Sequence, residues 1–416
     1  MEKNLVVGIQ EKPKSILKWL MLSLQHVFAM FGATVLVPLL TGLDVSVALV
    51  ASGVGTLIYI ACTKGKVPVY LGSSFAYIAA ISTAGAVGGF SSAYIGLMVV
   101  GIIYAVVATI IRFTGNGWIK KLLPPVVIGP VIIIIGLSLA PVAIGSSGFD
   151  GASGWRVPLV ASITFASVVI VSLLGRGFFR LVPFLLAIFT GYIASIIFGL
   201  VDPTEIFSGY KILQVPNFTF IGTYSLDFSA VLMFAPIAFV TIAEHIGDHT
   251  VLGEVTGKDF LLDPGLENTI MGDGIATFVS AAIGGPANTT YGENTGVVAM
   301  TRVGSVYVTG VAAIFAILLG FFGYIQAFII SIPWAVIGGM TIVLYGLIAG
   351  NGVKVMLKAK VDLSDMRNLI IVATMLVIGL GGAGFAINSS VSLAGMSLAA
   401  VVGIILNIIL PKSINK

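Results

Sequence analysis

Charge is scarce in this sequence. Only 9% of the 416 residues are Asp, Glu, Lys or Arg, against roughly 25% in a soluble domain, which is too little ionic surface to keep a chain of 43.2 kDa dispersed in water. Cysteine is scarcer still. The single Cys62 excludes an intrachain disulfide, and at the end of an apolar run it reads as a small buried hydrophobe. A catalytic nucleophile constellation, a metal-ligand cluster and a nucleotide-binding motif are all missing, which argues against a membrane enzyme. What is abundant is apolar: 58% of the residues are hydrophobic, a further 51 are glycine, and the mean hydropathy is +1.11. These values describe an all-α polytopic membrane protein in which binding chemistry must lie mostly inside the bilayer.

Apolar windows fall at 18–40, 43–62, 68–86, 91–111, 123–145, 157–174, 181–200, 228–247, 268–284, 286–300, 303–322, 324–347, 368–387 and 394–411. At about 20 residues per crossing this predicts fourteen spans, both termini on one side, and no room for a sizeable soluble domain. The basic residues test that parity. Of the 21 lysines and arginines, including Lys3, Lys64, Lys66, Arg180, Lys412 and Lys416, all but Arg156 and Lys211 fall on the side of the termini. Such a bias makes that side cytoplasmic, and it accounts for the net charge of +4 without nucleic-acid binding. The polar N-terminal stretch is too long for a signal-peptide head and reads as retained.

Two windows fit poorly as continuous helices. Both 67-VPVYLGSSFAYIAA-80 and 285-GPANTTYGENTGVVAM-300 open with an extended, proline-containing stretch, pass through small polar residues and only then become helix-compatible. Irregular backbone at mid-membrane depth is tolerated only where protein buries it or a cavity needs it. The pair occupies the third and tenth spans, corresponding places in two halves of seven, and an odd repeat inverts the second copy. Paired interruptions of this kind point to the central site of a secondary transporter. Glycines elsewhere, as in 129-GPVIIIIGLSLAP-141, read as close helix contacts. The segment 354-KVMLKAKVDLSDMR-367 reads either as an interfacial helix or as a plain loop.

Most acidic residues sit in predicted loops, among them Asp44, Asp202, Asp227 and Asp263. Glu244 and Glu293 are embedded. An unpaired ionised carboxylate in apolar surroundings costs several kcal/mol or more, so each must find a donor or carry a proton, and each is a functional candidate. Glu293 follows 289-TTYG-292, where a half-helix start would present free backbone N–H groups, and 72-GSSF-75 would do the same from the opposite side. With Phe75, Tyr291 and Tyr345 as flat walls, the arrangement suits a small planar molecule carrying alternating N–H and C=O groups. Glu244 and Asp248 share a helix face and can share a proton, with His245 beside them. The run 244-EHIGDH-249 is too loosely spaced for a metal site. His249 reads as an interfacial residue at the cytoplasmic edge. Gln25 and His26 read equally as an interhelical polar pair or as support for the site.

From SLQHVFAMFGATVLVP through GKVPVYLGSSFAY and AEHIG to NTTYGENTGVVAMTRV, the chain resembles the nucleobase/ascorbate symporter family, and its uracil-transporting bacterial members above all. The resemblance implies a 7+7 inverted repeat with short strands breaking segments 3 and 10. It implies a core domain made of 1–112 and 227–322, a gate domain made of 113–226 and 323–416, and a working homodimer. It also implies proton-coupled uptake of uracil with no cofactor, Glu244 and Glu293 as substrate carboxylates, Phe75 and Gly292 as backbone donors, and Tyr291 and Tyr345 as neighbours of the base. The coupling group would be Glu244, Asp248, His245 and Glu293. One position departs from the family pattern, which places a histidine one turn after the first glutamate; here that residue is Asp248, and His249 follows it. Transport of a purine such as xanthine is the alternative within the family, and an anion exchanger of related architecture the alternative outside it.

Overall fold

Asp44 begins the structure's logic at small scale: its carboxylate accepts the Val47 N–H at 2.9 Å, capping the second helix so that the chain can reverse in a tight turn after Gly42, whose left-handed φ of 82° closes the first. In this computed structural model, residues 5–224, 228–388 and 391–411 are described; Lys3, Asp227, Lys412 and Lys416 lie outside them. The helices are α1 (Ile16–Thr41), α2 (Val45–Cys62), α3 (Ile78–Gly88), α4 (Phe90–Thr114), α5 (Gly117–Leu122), α6 (Pro125–Ser138), α7 (Ala140–Ser147), α8 (Arg156–Leu174) and α9 (Pro183–Ile197). There follow α10 (Phe228–Thr256), α11 (Leu266–Ala282), α12 (Gly292–Thr301), α13 (Val306–Gly320), α14 (Gly323–Ile330), α15 (Trp334–Lys358), α16 (Met366–Leu380) and α17 (Gly395–Ile409). Strands β1 (Leu71–Ser73), β2 (Asn288–Thr290), β3 (Gly384–Asn388) and β4 (Val391–Ala394) complete the set. Among the described residues, seven helical stretches are long and apolar enough to cross a membrane, and shorter apolar helices accompany them.

Packing follows two groupings. In one, α4 lies on α10 and α11, α2 on α11 and α13, and α1 on α13; in the other, α15 gathers α6, α7, α8 and α9, while α16 packs on α6 and α17. Small residues allow the close approaches. A side chain at Gly101 of α4 would meet the Gly274 carbonyl of α11 at 2.6 Å, and one at Gly274 would meet the Gly101 carbonyl at 2.9 Å, so neither helix tolerates a Cβ at the crossing. The outer faces are apolar. Ile102, Val106, Ile110 and Phe113 run along one exposed side of α4, a stripe that water would oppose and lipid accepts.

Several predicted boundaries need correction. The window 228–247 stops short because Asp248, His249 and Glu254 depress its hydropathy, yet α10 runs on to Thr256. The window 324–347 contains a break instead of one helix: Pro333 lacks an N–H and disfavours helix before it, so α14 ends at Ile330 and α15 begins at Trp334. Neither reading of 354–367 holds in full, since α15 continues through Lys358 and the chain is non-helical only until α16 starts at Met366. The window 123–145 divides into α6 and α7 at Leu139. The antiparallel pair β3–β4 has no counterpart in the hydropathy reading. Cys62 is half-buried.

Candidate functional site

The two interrupted segments meet each other. β1 and β2 pair antiparallel with Leu71 opposite Thr290, Gly72 opposite Thr289 and Ser73 opposite Asn288, and the ladder extends through Ser74 N–H to the Ala287 carbonyl at 2.9 Å and Tyr291 N–H to the Tyr70 carbonyl at 3.1 Å. Each strand opens into a helical turn: Phe75–Tyr77 is a 3-10 turn leading into α3, and Gly292 begins α12. Because the strands are antiparallel, the two helix starts lie at opposite ends of the short ladder, and the first N–H groups of a helix lack an intrahelical partner. Phe75 and Gly292 are the first residues of those starts.

Side chains hold this backbone in place. Asn288 donates to the carbonyls of Ala51 and Ala276 at 3.2 and 3.3 Å, fastening β2 to α2 and α11, while Thr56 accepts the Leu71 N–H at 2.9 Å. Tyr291 is buried, and its ring lies where a Cβ on Gly72 would stand 2.3 Å away. Its hydroxyl donates to the Ser73 carbonyl at 2.9 Å and accepts from Thr34 at 3.3 Å. The phenol therefore clamps the strand crossing as well as walling the region beside it.

Glu244 and Asp248 lie inside α10, the helix that packs against β2, α12 and the turn at Phe75. Both are half-buried, and Asp248 accepts from Thr290 Oγ1 at 2.6 Å, which ties α10 to the strand crossing. Glu293, also half-buried, opens onto a cavity of about 410 Å³ whose wall includes Phe28, Gly32, Arg180, Phe184 and Met300. Glu244, Asp248 and Glu293 are within electrostatic reach of one another. Tyr291 and Tyr345 belong to one buried apolar cluster, and Phe75 packs against it and against the neighbouring cluster that contains Ala243. The Tyr345 hydroxyl is buried without a hydrogen-bond partner among the described residues.

The histidines divide. His26 is buried and receives Asn294 Nδ2 at both its Nδ1 and its carbonyl, each at 3.0 Å; it joins α1 to the residue beside Glu293, so the interhelical pair is made with Asn294, not Gln25. His249 is not interfacial. It is 1% exposed, because α10 extends past it, and it stacks on His245 with ring centroids 3.9 Å apart. His245 is fully buried, with Nδ1 2.6 Å from Asp273 Oδ2 on α11. Asp273 was missed in the sequence. It lies inside the window 268–284, so its signal was a third embedded carboxylate, muted by the glycines on either side.

Two helix starts on either side of the strand crossing, half-buried carboxylates on the neighbouring helices and an apolar outer surface define a membrane carrier for a small polar solute. The fold agrees with solved transporters: it aligns with the transmembrane domain of a cyanobacterial bicarbonate transporter at a TM-score of 0.64 and 14% identity, covering 96% of this chain and 99% of that one. It aligns with the murine Solute Carrier 26 family member A9 anion transporter, in the inward-facing state, at 0.71 and 12%, covering 96% and 68%. At such identities the likeness is one of fold alone. In sequence, the permease family model matches residues 17–387, and the chain belongs to that family, the nucleobase/ascorbate permeases. It is 48% identical to a uracil permease of Bacillus caldolyticus over 98% of this chain and 95% of that protein. Uracil permeases of Bacillus subtilis and Escherichia coli K12 are 44% and 40% identical, covering 99% and 97% of this chain and 97% and 93% of theirs. The protein is a multi-pass membrane permease, not an enzyme.

Proposed function

We propose that the protein is a symporter that carries uracil together with a proton into the cell across the cytoplasmic membrane. The observation that carries this reading is the packing of one helix, α10 with Glu244, against both broken segments, which supports a site in which carboxylate acceptors and backbone donors would surround one region. Uracil is planar and neutral near pH 7, with two N–H donors and two carbonyl acceptors. Glu244 and Glu293 would accept its N–H groups; the Phe75 and Gly292 amides would donate to its carbonyls; Tyr345 and Phe75 would flank the ring, and Tyr291 would hold the strands that position the amides. The full-length likeness to uracil permeases supports the choice of base.

A neutral solute accumulates against a gradient only if an ion moves with it, and Glu244, Asp248, His245 and Glu293 are the groups that would carry the proton. Fourteen crossings in a 7+7 inverted repeat, both termini in the cytoplasm, are the topology we infer from charge parity. A core of 1–112 with 227–322 and a gate of 113–226 with 323–416 is the division, supported by the two packing groups of helices. A homodimer follows from the family resemblance. An inorganic anion as substrate is disfavoured, since two glutamates repel it.

Uptake of labelled uracil into proteoliposomes tests the reading. An inward proton gradient should drive accumulation, and excess xanthine should leave it unchanged. Competition by xanthine at concentrations similar to uracil would make the protein a purine carrier; uracil uptake indifferent to the gradient would remove the proton.

A further inference from the structure

Next to Glu244 in sequence, three helices bring together polar side chains that substrate contact does not explain. Asp273 of α11 and His245 of α10, 1% and 0% exposed, meet at 2.6 Å. His249, one turn on, lies stacked against the His245 ring, and Tyr59 of α2 bonds its Nε2. The Tyr59 ring fits flush on α11 because residue 272 is glycine; a Cβ there would stand 2.8 Å from it.

Hydrogen-bond logic fixes the protons of this cluster. His249 Nδ1 is 2.8 Å from the His245 carbonyl, and a carbonyl only accepts, so Nδ1 carries the hydrogen. In a neutral ring Nε2 is then the acceptor, and the Tyr59 hydroxyl donates to it. His249 is thereby held in one tautomer with both nitrogens engaged. The His245–Asp273 pair differs. His245 Nε2 and Asp273 Oδ1 are both buried without a partner among the described residues, whereas buried polar atoms in a purely structural network are ordinarily satisfied. Each of these two atoms can receive a proton while the 2.6 Å contact stays intact.

We propose that the His245–Asp273 pair holds the coupling proton while uracil occupies Glu244, with His249 and Tyr59 as positioning residues that keep the His245 ring in place. The proposal rests on the uracil and proton reading above and deepens it. The step is a proton transfer alone: the Glu244 carboxyl gives up its proton, becoming a carboxylate able to accept uracil N–H, and the pair gains it. A carboxylate with a neutral imidazole carries net charge −1; one proton brings the pair to zero, and no bond between heavy atoms forms or breaks. The titratable groups within reach of Asp273 are Glu244, Asp248 and His249 on α10, Tyr59 on α2, Tyr104 on α4 and Tyr77 on the turn after β1. Tyr77 and Tyr104 are both bonded to Thr241, which leaves the protonated carboxyl groups of α10 as the proton donors.

The full chain in proteoliposomes with a trapped pH-sensitive dye provides the test. Unaltered protein should acidify the lumen when uracil is added outside. Asp273→Asn keeps an acceptor for His245 but removes the negative charge that lets the pair hold the proton; uracil binding and uracil–uracil counterflow should stay within about threefold, while uracil-dependent acidification and gradient-driven accumulation fall at least tenfold. Tyr59→Phe, which frees His249, should retain accumulation but move its pH profile. Should Asp273→Asn fail to fold, His245→Gln is read in the same way. Acidification at the unaltered ratio of protons to uracil in Asp273→Asn or His245→Gln overturns the proposal alone. Absence of acidification in the unaltered protein overturns the coupling reading beneath it as well.

Discussion

Glu293 stands second in the short helix that begins at Gly292, and in the proposed function its carboxylate answers to a ligand more than to scaffold. Glu293→Ala should leave a folded, detergent-stable protein that binds uracil at least tenfold more weakly, a loss of about 1.4 kcal/mol, as read by calorimetry. Phe75 allows a separate check of the backbone donor. Phe75→Leu should weaken transport modestly, whereas Phe75→Pro should remove it, because proline deletes the N–H; Val67→Pro serves as control for strain, and equal damage at both positions would assign the effect to strain. Asp248→Asn preserves an acceptor for Thr290 Oγ1 yet ends the like-charge interaction with Glu244. Binding and exchange of uracil should survive in that variant while gradient-driven accumulation is lost, measured as counterflow and proton-driven uptake in the same vesicles from pH 5 to 8. At this scale the sequence was informative wherever charge stood in an apolar run, as at Glu244. It misjudged His249 because a residue's depth was inferred from where hydropathy fell, and hydropathy falls wherever polar groups cluster, whether in water or inside protein.

Among the elements, β1 and β2 bear the most consequence. The sequence exposed them through proline and small polar residues at matching places in the two halves, but their pairing partners were invisible to it, since register arises from contacts between distant segments. Tyr291 lying on Gly72 is one such contact. Gly72→Ala would drive a methyl group into that ring, and overpacking of this kind costs roughly 1–3 kcal/mol; the melting temperature in detergent should drop by several degrees, and an unchanged value would mean that the ring moves freely. The break at Pro333 was equally legible from proline chemistry, yet a hydropathy window passes over it because Ile332, Pro333 and Trp334 are all apolar. The β3–β4 pair escaped for a related reason: short strands flanked by apolar helices leave no distinct average.

Considered whole, the molecule has a cavity whose wall includes both Arg180 and Glu293. If charge parity sets the orientation, that cavity faces the cytoplasm. In a Cys62→Ser background, Ala299→Cys on the cavity wall should react with a membrane-impermeant thiol reagent in inside-out vesicles, and uracil should slow the reaction; labelling from the outer face of intact cells would reverse the orientation.

The crossing of β1 with β2 also governs how the protein comes into being. Leu71 can find Thr290 only after most of the chain has been made, and at 5–20 residues per second the ribosome needs roughly 10 to 45 s to cover that interval. Throughout it the newly inserted first half carries backbone N–H and C=O groups that its own sequence does not pair, in a medium without water to take their place. The strand crossing can therefore mature only once residue 290 has been made, and a ribosome that stops before residue 288 leaves behind a membrane-embedded fragment with an unpaired strand.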